Sequence, residues 1–178
     1  GRGSVSRVAT PRRLPVIRLV VAAALTVATF AAVVPAVDDA RATRTDATIE
    51  RAVDRIDRAG RSLATTEDAT PTRERAATRR ITIRLPRASL TAAQPAFVAI
   101  GGRPRGPGNR SAVTFALAES PTRLRGLSLP VPVRTPAGPV VLREPGRRSV
   151  SLALVGAAER PTLVVTRRPP GASVTGAT

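Results

Sequence analysis

The stretch LVVAAALTVATFAAVVPAV, residues 19–37, decides the architecture because it contains no charged residue. As an α-helix it would rise about 28 Å, which matches the hydrocarbon core of a bilayer. Five arginines and no acid precede it, whereas Asp38 and Asp39 follow it. The positive-inside rule therefore predicts a single-pass membrane helix with residues 1–18 in the cytoplasm and the chain from residue 38 outside. The anchoring residues would be Arg18, Leu19, Leu25, Phe30 and Val34.

Two other interpretations of this stretch remain open. Small residues at 34–36 fit cleavage after Ala36, which would release a secreted domain, although the apolar run exceeds the roughly 7–15 residues of a signal-peptide core. A buried helix of a soluble protein is disfavoured because the run is apolar on all sides. We also expect that residues 1–15 are not translated if the true start is a GTG codon at Val16.

The composition restricts the chemistry that the chain can perform. It has 178 residues and a formal net charge of +17; all 29 basic residues are arginine, and there is no His or Cys. Ordinary zinc and haem sites, disulfides and thiol catalysis are therefore excluded. The acid pairs at 38–39 and 67–68 are sequence neighbours, which do not face one another on a helix. We expect no catalytic residue, no metal site and no cofactor, and hence no enzyme.

Residues 38–64 are predicted to form an amphipathic stalk helix after the membrane span. Apolar residues recur every three or four positions, with Gly60 completing the pattern, and the seam residues are Ile49, Val53, Ile56 and Leu63. This seam could pack on the chain's own C-terminal domain or form a coiled coil with another copy. Its short length and its glycine favour the first alternative.

Residues 65–78 are polar and are predicted to be a linker, after which the pattern changes to the alternation of β-strands. Six or seven short strands separated by Gly and Pro turns predict an antiparallel β-sandwich or partial barrel over residues 79–166, followed by a disordered tail at 167–178. The fold class is therefore α+β. The predicted strands are 80–85, 96–100, 111–118, 127–133 (an edge strand, because it contains two prolines), 139–143, 149–155 and 162–166.

The loop GGRPRGPGNR, residues 101–110, offers candidate sites for an anion and for a glycan. Arg103, Arg105 and Arg110 could contact an anion, but the loop lacks the Lys of a P-loop and leads into a strand, which favours an exposed hairpin loop. Asn109 begins an Asn-Arg-Ser sequon and is a candidate glycosylation site.

The charge of the C-terminal half predicts an anionic partner. Residues 79–178 contain sixteen arginines against three glutamates. Cell-surface glycan, lipid headgroups and DNA are the candidate ligands, and a merely solvated basic surface is the alternative. Nucleic acid is disfavoured because single-strand binders stack bases on aromatic residues, and this region has only Phe97 and Phe115.

Several segments resemble a haloarchaeal family of small membrane-anchored proteins of unknown function. They are IRLVVAAALTVATFAAVVPAVDDAR, RITIRLPRASLTAA, FVAIGGRP and VPVRTPAGPVVLREPG, and the resemblance covers residues 16–166. It implies an association with gene clusters that encode a type IV pilus-like or secretion ATPase, and it supplies no catalytic residues. The chain departs from haloarchaeal proteins in being basic, and from pilins in having Arg18-Leu19 where a prepilin has glycine.

We therefore expect a membrane-anchored, extracytoplasmic structural or accessory component of a pilus-like or secretion assembly. Its partners would be the membrane and other protein subunits. The alternative is an extracytoplasmic basic module that binds an anionic polymer or surface.

Overall fold

The computed structural model describes residues 14–118 and 120–167 of the chain. These residues form one long helix, α1 (Leu14–Thr66), a short 3-10 helix (Arg73–Arg75) and eight strands. The chain divides into two compact units whose boundary falls between Asp39 and Ala40. Most of the predicted basic segment and nearly all of the predicted tail lie outside the described residues.

The first unit contains the apolar part of α1, which is long and apolar enough to cross a membrane, with a mean hydropathy of 2.3. The hydroxyls of Thr26 and Thr29 donate to the carbonyls of Ala22 and Leu25, both at 2.8 Å, so neither hydroxyl is left unpaired on an apolar surface. The anchor residues named above are all exposed in the structure: Arg18, Leu19, Leu25, Phe30 and Val34.

The second unit contains two four-stranded sheets that face one another as a β-sandwich, which confirms the predicted α+β fold. One sheet has the order β1-β7-β8-β5 and the other β4-β3-β2-β6. All pairs are antiparallel except β5 with β8, which is parallel. The strands are β1 (Thr78–Leu85), β2 (Pro95–Ile100), β3 (Ala112–Leu117), β4 (Arg123–Gly126), β5 (Val133–Arg134), β6 (Val140–Leu142), β7 (Gly146–Val155) and β8 (Thr162–Arg167).

The core between the sheets is almost entirely aliphatic. Phe115 is its one fully buried aromatic side chain among the described residues, and Ile83, Leu142, Leu152 and Leu163 belong to the same cluster at 0–1 % exposure. A pocket where α1 meets the sandwich has a volume of only about 10 Å³, roughly the least that one water molecule needs. The core is therefore close-packed although it lacks the large side chains that usually fill a domain of this size.

The strand predicted at 127–133 is wrong. Only Val133–Arg134 is a strand, and β4, which the sequence did not predict, lies earlier, at Arg123–Gly126. Pro130 and Pro132 have no backbone N–H to donate to a neighbouring strand, so the chain is irregular there. The carbonyl of Pro132 instead accepts from the N–H of Leu163 at 2.9 Å.

The predicted stalk and linker are not separate from the β domain. Residues from Ala40 onward belong to the same compact unit as the strands. The helix continues to Thr66, and Ala69 packs against the core a few residues later. Thr70 then bridges to Val155, and its carbonyl accepts from the N–H of Gly156 at 2.9 Å. This packing is the alternative that the sequence favoured, because an amphipathic helix beside a half-open sandwich buries its apolar side there.

Candidate functional site

The second half of α1 packs on the β-sandwich through one side of the helix. The two alternatives for the predicted seam were packing on its own domain and self-association, and the structure places all four seam residues in the hydrophobic cluster that contains both sheets. We call this side the docked face, and its buried residues are Thr45, Ile49, Ala52, Val53, Ile56, Asp57, Gly60 and Leu63.

Thr45 joins the docked face to the loop between β1 and β2. Its hydroxyl donates to the carbonyl of Ala93 at 2.7 Å and accepts from the N–H of Ala93 at 3.0 Å. The side chain is 0 % exposed. One threonine thus satisfies both backbone groups of Ala93, as a neighbouring strand would. In the same loop, the carbonyl of Leu90 accepts from Arg41 Nε at 3.0 Å.

Two ion pairs join α1 to the edge strand β4. Arg123 pairs with Asp46, and Arg125 Nη2 lies 2.8 Å from Glu50 Oε1. The two arginines are two positions apart on a strand and the two acids four positions apart on a helix, so each set lies on one side of its element. The exposed arginines of β4 therefore meet opposite charges on the helix.

Asp57 is the buried carboxylate of this interface, at 7 % exposure. Its Oδ1 accepts from the N–H of Ser128 at 3.0 Å and so fixes the segment that follows β4. Burial raises the pKa of the Asp57 carboxyl above its ordinary value. The hydrogen bond from Ser128 and the charge of Arg61 lower this pKa by less, and the charge of Asp54 raises it further.

Gly60 lets the same segment approach the helix. A Cβ atom at this position would lie 2.6 Å from Cδ2 of Leu129 and 3.0 Å from Cδ2 of Leu163. A side chain at this position would therefore displace the Leu129 side chain, so the glycine in the seam permits close packing and does not mark the end of the helix.

A different side of α1 carries arginines and opens on a cleft. Arg51, Arg55 and Arg58 follow one another at the 4-3 spacing of one helical side, and Arg84 reaches the same space from β1. The cleft has a volume of about 350 Å³ and contains no acidic side chain in its lining. We call it the arginine cleft, and its lining residues are Thr48, Arg51, Arg55, Arg58 and Arg84.

The glycine-rich loop connects β2 to β3 and is held in place by hydrogen bonds. The N–H of Arg110 donates to the carbonyl of Gly101 at 3.0 Å, and the N–H of Gly106 donates to that of Arg103 at 2.9 Å. The N–H and hydroxyl of Thr135 both donate to the carbonyl of Gly108, at 2.7 and 2.9 Å. Two N–H groups within the loop, those of Gly106 and Arg110, are thus used within the fold. The loop has the geometry of a hairpin connection.

The candidate side chains of this loop are all exposed. They are Arg103, Arg105, Asn109 and Arg110, and none of them lines the arginine cleft. Arg105 has a positive φ of 66°, which turns the chain at the loop tip. Asn109 is therefore sterically open to modification, and the three arginines present separate charges to solvent.

No group of three or more His, Cys, Asp or Glu side chains that could hold a metal ion occurs within residues 14–118 and 120–167. The carboxylates in these ranges that have ion-pair or hydrogen-bond partners include Asp46, Glu50, Asp57 and Glu144.

The arginine cleft was not predicted from the sequence, because its residues belong neither to the apolar seam nor to the glycine-rich loop. The signal was nevertheless present in the helical period. Polar residues at 44, 48, 51, 55 and 58 have the same 4-3 spacing as the seam, and four of these five are arginines. The contribution of Arg84 could not be seen, because it depends on how β1 lies beside the helix.

No curated protein and no solved structure matches this chain. A family model matches residues 16–168, which include most of α1 and the eight strands described above. The chain therefore belongs to the family described as Domain of unknown function (DUF7311).

Proposed function

We propose that this protein is a non-enzymatic, membrane-anchored component of a cell-surface assembly, with its β-sandwich outside the cytoplasm. The observation that carries the proposal is that α1 contains both an apolar stretch of membrane-spanning length and the docked face of the sandwich. Arg18 before the apolar stretch and Asp38 after it support an inside-to-outside orientation.

The resemblance to haloarchaeal anchored proteins supplies the finer part of the proposal. It implies that the assembly is pilus-like or a secretion system, driven by an ATPase whose gene lies nearby. An apolar helix, an amphipathic continuation and a β domain are also arranged in this order in pilins. Because Arg18-Leu19 stand where a prepilin has its glycine, we propose an accessory subunit and not a pilin itself.

Cell fractionation and protease access test the anchor and its orientation. After an alkaline wash, the full chain should remain with the membrane. In intact cells, external trypsin should remove a C-terminal epitope and spare an N-terminal one. Release by the wash would contradict the anchor, and loss of the N-terminal epitope alone would reverse the orientation. The mass of the purified protein would reveal cleavage after Ala36.

Affinity purification in mild detergent tests the assembly. A C-terminally tagged chain should co-purify with a pilus-type or secretion ATPase and its membrane partner. Recovery of the protein alone and as a monomer would contradict the proposal.

A second function is favoured by the arginine cleft: an extracytoplasmic module that binds an anionic polymer or surface. Four arginines converge there without an acidic lining residue. Binding should weaken steeply as salt rises, because each arginine–anion contact releases or competes with counterions. Binding that is insensitive to salt would contradict this function.

A further inference from the structure

We propose that the arginine cleft is a specific site for the phosphate or sulfate groups of a multiply charged anion that has no nucleobase. This inference deepens the anion-binding role proposed above and rests on it. It assigns the site to Arg51, Arg55, Arg58 and Arg84, and not to the glycine-rich loop.

The helix holds its three cleft arginines along its own surface. The Nε atoms of Arg51, Arg55 and Arg58 each donate to the carbonyl four residues earlier, at 3.0, 3.3 and 3.3 Å. Arg51 Nη2 also lies 3.3 Å from the hydroxyl of Thr48. These bonds use the inner nitrogens of Arg55 and Arg58 and leave their terminal N–H groups available. A terminal guanidinium edge of this kind binds two oxygens of one oxyanion.

The cations of the cleft are not neutralised by the fold. Arg84 stands directly opposite Arg147 in the β1–β7 register, and like charges in that position destabilise a sheet. Asp54 is next to the cleft on the helix, but no ion pair joins it to an arginine within the described residues. On the docked face, by contrast, Arg125 is paired with Glu50. A ligand that supplies negative charge would relieve the repulsion that the fold leaves in place.

The shape and lining of the cleft define the class of ligand. Its volume of about 350 Å³ lies at the lower end of the range for ligand pockets, which is roughly 300–1,000 Å³. No aromatic side chain lines it, so it offers no surface on which a base could stack. The matching chemistry is therefore a short row of oxyanions, from either a soluble polyanion or lipid headgroups.

Calorimetric titration with inorganic polyphosphate tests the site on the full chain in nanodiscs of neutral lipid. Three proteins are compared: wild type, R51Q/R55Q/R58Q, and the matched control R103Q/R105Q/R110Q, which removes the same charge from the glycine-rich loop. Because Gln forms helices well, the helical circular dichroism of both variants should equal that of wild type. The cleft variant should bind roughly tenfold or more weakly, and the loop variant should bind as wild type does.

The source of the oxyanion is identified by protection of Arg55 from phenylglyoxal, measured by mass spectrometry. Protection by polyphosphate in neutral discs identifies a soluble polyanion. Protection in discs of anionic phospholipid without polyphosphate identifies headgroups. An equal loss of binding in both triple variants would show a non-specific effect of net charge and overturn the site. Loss in the loop variant alone would also overturn it but leave the anion-binding role standing. A wild type that neither binds polyphosphate nor shows protection would refute both.

Discussion

The docked face and the arginine cleft are two sides of one helix. Charged side chains are paired on the first side, whereas arginines gather without acidic partners on the second. On the docked side, Asp46 and Glu50 meet the arginines of β4, and Asp57 accepts a backbone hydrogen bond. On the cleft side, arginines face a further arginine from β1. Acidic side chains thus lie where they pair with groups of the β-sandwich, and none lines the cleft, where it would neutralise the arginines. One side of the helix therefore contributes charges to the folding interface, whereas the cleft side leaves its arginines without acidic partners in the lining.

The largest difference in stability should be seen when two neighbouring residues, one on each side, are each replaced by alanine. Ile56 is 1 % exposed in the core, so Ile56→Ala should lower the free energy of unfolding by about 2–5 kcal/mol. Arg55 points into the cleft, and Arg55→Ala should change it by about 0.5 kcal/mol or less. Chemical denaturation of the full chain in detergent measures both. Equal losses would mean that the cleft side is also part of the folding interface.

Thr45 tests whether the docked face depends on polar contacts as well as on apolar packing. Thr45→Val keeps the shape of the side chain but leaves the N–H and carbonyl of Ala93 without their partner, at a cost of about 1–3 kcal/mol. Thr45→Ser retains the hydroxyl and should recover most of that loss. If the serine and valine variants were equally stable, the methyl group and not the hydrogen bonds would be what matters.

These two positions also show how much the sequence could predict. The period of three and four residues identified Ile56 as part of a buried seam, because apolar periodicity is a local signal. Thr45 gave no such signal, since its two hydrogen bonds reach a loop 48 residues away. The strand β4 was missed for a related reason: all of its residues are exposed, and it exists because β3 and the helical acids lie beside it. Patterns within an element were predictable, as was the packing of the seam on the β domain, whereas the individual polar contacts between elements were not.

Asp57 should give the docked face a dependence on pH that the cleft lacks. Because burial raises the pKa of Asp57, the folded state binds its proton more tightly than the unfolded state does. Its contribution to stability is therefore fully present below the unfolded pKa and is lost as the pH rises through the raised folded pKa. Arg61 reduces this effect, and Asp54 increases it. The free energy of unfolding, measured across this window, should fall as pH rises.

Asp57→Asn isolates that contribution. The amide oxygen can still accept from Ser128, but the position no longer titrates, so the slope of stability against pH should become shallower. Glu74→Gln, which removes the same charge from an exposed site that does not affect the pKa of Asp57, controls for net charge. An unchanged slope in Asp57→Asn would show that another group is responsible. Asp57→Ala should cost about 1–3 kcal/mol near neutral pH, because the N–H of Ser128 is left unpaired.

The ion pairs to β4 should give the smallest effect, although they are the most visible difference between the two sides. Arg123 and Asp46 are 46 % and 20 % exposed, and a double-mutant cycle to alanine should yield a coupling of about 0.2–1 kcal/mol. The single variants should be unequal. Arg123→Ala leaves a part-buried carboxylate unpaired, and Oδ1 of Asp46 already has no hydrogen-bond partner, whereas Asp46→Ala leaves an exposed arginine that water can solvate. Arg125 and Glu50, both about half exposed, should couple more weakly still. A coupling well above this range would mean that the acids of α1 position β4, and that the helix organises the sandwich edge as well as closing its core.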